Sequence, residues 1–378
     1  MSDETERGAP GLGRSLSTYL DGLRFTAAMA VFTSHLALPR LTGGLLPETM
    51  LVELADAAVM AFFVLSGFVI PFAAEARDPD LASYAGARLA RLWSVALPAL
   101  AVTVVADEIG RRFAPDLYAH LSPQTWGPVV QIVASALFLN EVWFASIRPF
   151  SDGPYWSIGY EFWYYVLFGA AFYLRGRTRL VAVAIGCAIA GPKVLVLFPI
   201  WVMGLFAYRH RSRIGANAGA LLFAGSLAVV VAIALLGLSW RLYWWEDAGV
   251  VRLFGEGYSR HVPSKYAAGI VVACNLLGAA GLASRISLRR IERPVRWLAG
   301  LTFSLYLFHY PLLHLFASVL PGDPASVWRA AALAALTLGA VVALAAVTER
   351  RKDRARRIVD AAGAWLARRA FRRIETAA

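Results

Sequence analysis

Apolar residues gather into runs of spanning length near 20–38, 51–74, 89–106, 155–174, 217–238, 264–283, 297–320 and 327–348. A helix needs about 20 consecutive apolar residues to cross a bilayer, so each run predicts a membrane-spanning helix. Two stretches are ambiguous. Segment 128–145 is long enough to cross but carries Gln131, Asn140 and Glu141. Segment 180–208 holds Gly191-Pro192-Lys193 in its middle, so it reads as one long span or two short ones, a re-entrant hairpin among the options.

Basic residues fall in short clusters between the runs. They comprise Arg77, Arg88 and Arg91; Arg175, Arg177 and Arg179; Arg209, Arg211 and Arg213; Arg285, Arg289, Arg290, Arg293 and Arg296; and the segment ERRKDRARR at 349–357. Positive charge is retained on the cytoplasmic side. All five clusters stay there only if 128–145 does not cross and 180–208 crosses an even number of times. The expected fold is an all-α polytopic membrane protein of about ten spans with both termini cytoplasmic. Its parts are a disordered cytoplasmic tail (1–18), a transmembrane domain (19–348) and a basic juxtamembrane tail (349–378).

Composition agrees, with 58% hydrophobic residues, 16% charged and a mean hydropathy of +0.57. The net charge of +12 suggests a nucleic-acid partner, but its placement beside apolar runs fits anionic membrane lipids instead. Cys187 and Cys274 are far apart and give no disulfide framework or metal spacing. The N-terminus lacks the short apolar segment of a signal peptide. No metal and no bound cofactor are expected, and nothing in the sequence sets an oligomeric state.

The first span carries Arg24 and, eleven residues on, His35. That spacing returns a helix to within about 20° of its starting face after a rise of about 16 Å. A cation inside a bilayer costs roughly 2.5–3.5 kcal/mol on insertion scales, so a residue of this kind usually serves a site. The competing reading of Arg24 is simple neutralisation by Asp21 at i, i+3. In the predicted topology Glu161 enters its span from outside, which puts it at a depth comparable to His35. A local bond from Glu161 to Ser157 or Tyr165 is the structural alternative.

Five segments then stand in order: Asp21-Gly22-Leu23-Arg24 with His35, AFFVLSGFVI (61–70), Arg88-x-x-Arg91-Leu92, PYWSIGYEFWYYVLF (154–168) and TFSLYLFHYPL (302–312). Together they resemble the acyltransferase-3 family of integral membrane O-acyltransferases over about residues 19–349. The resemblance implies an enzyme of the bacterial inner membrane that takes an acyl group, commonly acetyl, from cytoplasmic acyl-CoA. Delivery is to a hydroxyl of a carbohydrate, glycolipid or other glycosylated acceptor.

His35 matches the family's essential histidine, and a neutral imidazole suits proton abstraction from a hydroxyl or transient acceptance of the acyl group. Arg24 matches the family's arginine and suits a phosphate or a thioester oxygen. Glu161 is read as orienting His35 or binding acceptor hydroxyls. Arg88 and Arg91, at the start of the third span, suit CoA phosphates or plain positive-inside anchoring.

Asp21, Ser157, Tyr160, Tyr306 and His309 are support candidates. Trp244 and Trp245, in the aromatic outer loop 239–263, suit a sugar or a membrane-interface belt. Two positions depart from the family pattern. Met60 stands where many members have Asp, with Asp56 a turn earlier, and Ser94 stands where many have Pro. A transporter or glycan flippase using buried Arg, Glu and His is the second reading.

Overall fold

A computed structural model of the chain describes residues 11–45, 48–119, 121, 125–236, 260–351, 356–357 and 361. Among these the regular structure is helical. The first half holds α1 Arg14–Leu36, α2 Pro39–Thr42, α3 Glu48–Arg77, α4 Leu81–Phe113, α5 Pro115–Ala119, α6 Pro128–Ala136, α7 Trp156–Tyr173 and α8 Gly176–Ala190. The second half holds α9 Pro192–Leu195, α10 Phe198–His210, α11 Ala216–Leu236, α12 Val262–Leu282, α13 Glu292–Ala299, α14 Thr302–Val319 and α15 Val327–Val347.

Six stretches among the described residues are long and apolar enough to cross a bilayer: Glu53–Arg77, Leu81–Phe113, Pro192–Arg213, Ala216–Leu236, Val262–Leu282 and Val327–Val347. Helices α1, α7, α8 and α14 were also expected to span. Asp21 and Arg24 interrupt the apolar character of α1, and α8 has only 15 residues. The outward faces are apolar: Leu221, Leu235 and Trp328 are 76%, 80% and 85% exposed. Side chains of this size, so exposed along helices of spanning length, need lipid rather than water around them. The chain is a multi-pass membrane protein.

Helix ends revise several expected boundaries. The expected span 297–320 is two helices, because the chain breaks between Ala299 and Thr302 and leaves α13 outside α14. The third span starts earlier than expected, since Asp80 accepts from the Ser83 backbone N–H (2.7 Å) and caps α4 at Leu81. Such a cap satisfies an otherwise unpaired donor of the first turn. Arg88 and Arg91 therefore lie two to three turns inside α4. Segment 128–145 forms the nine-residue α6, about 14 Å long and short of a crossing. Segment 180–208 breaks at Gly191, which adopts φ 80° between α8 and α9.

Helix α10 packs directly on α3. A Cβ on Gly67 would sit 1.9 Å from the Trp201 carbonyl oxygen, and one on Gly204 would sit 2.0 Å from that of Val64. Small residues let helices approach where packing rather than water drives association. The expected result for Gly67→Ala is separation of the two helices, with a stability loss of about 1–3 kcal/mol, read as a lower melting temperature of the detergent-solubilised protein. The α11–α12 seam is built the same way from Gly219, Gly278 and Gly281.

The segment between α6 and α7 is pinned from both sides. Phe138, Trp143 and Phe150 all adopt positive φ (52–58°), a costly region for bulky residues. The Phe138 carbonyl accepts from Trp163 Nε1 (3.1 Å), and Trp143 donates to the Ala188 and Ala190 carbonyls. At the break after α8, Lys193 donates to Glu141 (2.5 Å), to Ser146 Oγ (3.1 Å) and to the Ala145 carbonyl. Asp56, considered as a stand-in for the acid missing at Met60, is instead paired with Lys265 of α12 at 2.7 Å.

Candidate active site

The arginine-rich end of the helix bundle opens into a cavity of about 850 Å³. Arg24, Arg77, Arg88 and Arg91 line it from α1, α3 and α4, with Arg296, Arg350 and Arg356 from the last third of the chain. The carboxylates of Asp21, Asp78, Glu161 and Glu349 lie among them. Asp21 sits 3.5 Å from Arg24, so the local pairing expected at i, i+3 is present, and Arg24 still faces the cavity. Arg88 is held by Asp78 (3.2 Å) and lies over the Tyr84 ring. Arg91 has Tyr165, Glu161, Glu349 and Asp21 as its charged and polar neighbours.

Glu349, just beyond α15, accepts from the backbone N–H groups of Ser304 (2.9 Å) and Phe303 (3.4 Å) at the start of α14. Burial pushes its carboxyl above the usual range, while those N–H groups and Arg91 pull the other way.

Glu161 was expected level with His35 and oriented toward it. It lies instead with Arg24, on the wall of the arginine cavity. The reason is helix length. Helix α1 starts at Arg14, ten residues before Arg24, and α7 runs twelve residues beyond Glu161 to Tyr173. At 1.5 Å per residue, both side chains then sit roughly 15–18 Å from the basic end.

Glu161 accepts from Ser66 Oγ (3.1 Å) and from the Tyr165 hydroxyl, the local partner that was one of the alternatives. Ser66 in turn accepts from Trp201 Nε1 (3.1 Å). The Ser66-Gly67 pair of the LSGF segment thus has two tasks: the serine places the carboxylate, and the glycine admits α10.

The inner end of the cavity is formed by Phe62, Ser157 and Tyr306. Ser157 Oγ and the Tyr306 hydroxyl are 2.8 Å apart. Tyr160 does not line the cavity. It is buried, stacked on Phe63 and edge-on to Trp156, and so supports the wall behind Ser157. Trp244 and Trp245 lie outside the described residues.

One helical turn beyond Tyr306 is His309, whose ring nitrogen Nε2 is 2.8 Å from His35 Nδ1. His309 Nδ1 lies 2.8 Å from the Leu305 carbonyl. A carbonyl only accepts, so Nδ1 of His309 carries the hydrogen, and in the neutral ring Nε2 is the acceptor. His35 then donates through Nδ1 and keeps a lone pair on Nε2. His35 also meets the Tyr310 ring edge-on at 4.8 Å, and Arg40 donates to the Tyr310 hydroxyl (2.5 Å) and to His314 (3.4 Å). His314 is fully buried.

All five segments singled out in the sequence therefore contribute residues to the arginine cavity or to the His35–His309 pair one turn beyond Tyr306. Residues 17–346 match the acyltransferase domain of the acyltransferase-3 family. The chain belongs to that family. The chain is also similar to the acyltransferase MdmB of Streptomyces mycarofaciens, 26% identical over 366 residues with 87% of each chain covered. No solved structure matches. The family makes the chain an acyltransferase rather than a transporter or flippase.

Tyr310, Arg40, Ser66, Trp201 and Glu349 are site neighbours that sequence reasoning did not single out. Ser66 and Tyr310 stood inside the motif segments and Glu349 opens the basic segment 349–357, whereas Arg40 and Trp201 reach the site only through tertiary packing.

Proposed function

We propose that this membrane acyltransferase moves an acetyl or similar short acyl group from a cytoplasmic acyl-CoA to a hydroxyl of a carbohydrate or glycosylated cell-envelope acceptor in the bacterial inner membrane. The observation that carries this reading is the placement of an arginine-lined cavity on one side of a histidine whose tautomer leaves Nε2 free to take a proton. The basic end of the bundle is the cytoplasmic end, as positive-inside retention requires. Arg24, Arg88 and Arg91 hold the donor phosphates, where planar guanidinium forks match phosphate oxygens in pairs. The acyl-bearing arm runs past Glu161 toward Ser157 and Tyr306, one helical turn short of His309.

In the transfer step, Nε2 of His35 takes the acceptor hydroxyl proton as the oxygen attacks the thioester carbonyl. The carbon–sulfur bond breaks, and the leaving thiolate receives that proton as CoA thiol. His309 keeps the imidazole in the correct tautomer and faces Nε2 away from itself. Glu161 shapes the donor cavity and does not touch His35.

Arg24→Lys keeps the charge but loses the fork. Donor affinity should fall about ten- to hundredfold, the scale of a lost hydrogen bond to a charged group. Calorimetric titration of the solubilised protein with CoA reads this directly. Unchanged affinity would remove Arg24 from the donor site.

A further inference from the structure

A second concavity, of about 680 Å³, lies beside the donor cavity and is lined by Arg14, Arg289, Arg290, Glu292, Arg293 and Arg296. Arg14 opens α1, Arg289 and Arg290 precede α13, and the rest lie on α13. Five guanidiniums face one carboxylate, and that carboxylate is already engaged, with Arg296 at 2.8 Å from Glu292. So many like charges around one hollow repel each other unless an anion lies between them.

The same segment carries Ile286, Ile291 and Trp297, each 48–50% exposed. Ile286 and Ile291 precede α13, and Trp297 lies on it one turn from Arg293, so exposed apolar side chains stand among the basic ones, as in a segment lying at the headgroup layer of a membrane. The donor cavity has its own arginines, and only Arg296 is shared between the two.

We infer that this basin binds the phosphate of an anionic phospholipid headgroup in the leaflet at the basic end, with Ile286, Ile291 and Trp297 seated among the acyl chains. Clustered arginines beside a membrane helix attract such headgroups, each adding to affinity. The inference rests on membrane placement, not on acyl transfer. It also gives the donor cavity a lipid neighbour across Arg296.

The test uses the full chain in phosphatidylcholine nanodiscs containing a small fraction of phosphatidylglycerol, with native mass spectrometry counting retained anionic lipids. The comparison is between wild type and a triple variant, Arg289→Gln, Arg290→Gln and Arg293→Gln. All three side chains are exposed and outside the donor cavity, so fold and CoA binding should persist. Wild type should retain phosphatidylglycerol with an affinity about a hundredfold above the variant, the scale of three juxtamembrane charges. Equal retention by both proteins would overturn the inference. So would displacement of the lipid by acetyl-CoA with loss of CoA affinity in the variant, which would assign the basin to the donor. Because the readout is lipid retention, failure of the transfer assay leaves it unaffected.

Discussion

His35→Ala should lower acyl transfer by about 10²–10⁴-fold, the usual contribution of a positioned general base, while CoA binding and melting temperature hold. The separation of effects follows from geometry. Arg24, Arg88 and Arg91 line the cavity, and His35 is not among its lining residues. A His309→Phe variant should also lose rate, because the His35 ring loses the acceptor for its Nδ1–H. His309→Gln retains an acceptor oxygen and should recover part of it. The measurement is the initial rate of labelled acetyl incorporation at saturating donor. Loss of CoA binding in His35→Ala would mean that this residue serves the donor site or the fold rather than proton transfer.

The second large effect is on stability. Lys193 and Glu141 are buried, at 2% and 1% exposure, and joined at 2.5 Å. Burial already raises the Glu141 carboxyl to about 7 against the pull of Lys193. Lys193→Met removes that pull, so Glu141 takes up a proton and is left buried without its partner, a loss of up to about 3–5 kcal/mol for a buried pair broken on one side. It also removes one tie between the segment carrying Phe138, Trp143 and Phe150 and the break after α8, leaving the two Trp143 bonds. Adding Glu141→Leu should restore most of the loss, since a buried pair replaced by apolar groups is often neutral. Thermal unfolding of the single and double variants checks both statements, and an additive loss in the double variant would contradict them.

The sequence made the helical class legible because lipid enforces long apolar runs, and it made Arg24 stand out because charge inside such a run is costly, while His35, Arg88 and Arg91 stood out through the motif segments that hold them. Depth was less legible. Hydropathy locates the apolar part of a helix and not its ends, so the extensions of α1 back to Arg14 and of α4 back to Leu81 were missed. That error placed Glu161 beside His35 instead of beside Arg24. The span expected over 297–320 was misread because the apolar residues of α13 and α14 run on across the break at Gly300 and Leu301. His309 stood out in TFSLYLFHYPL, but its bond to His35 joins residues 274 apart and depends on how α1 and α14 pack.

The central claim is a cytoplasmic acyl donor and an acceptor hydroxyl activated by His35. Its most direct test is transfer of radiolabelled acetyl from acetyl-CoA to envelope glycans in sealed inside-out membrane vesicles, comparing wild type with His35→Ala at equal protein levels. The account predicts label in glycan with wild type, little with His35→Ala, and none when the same donor is supplied to right-side-out vesicles. Full incorporation by His35→Ala would contradict it.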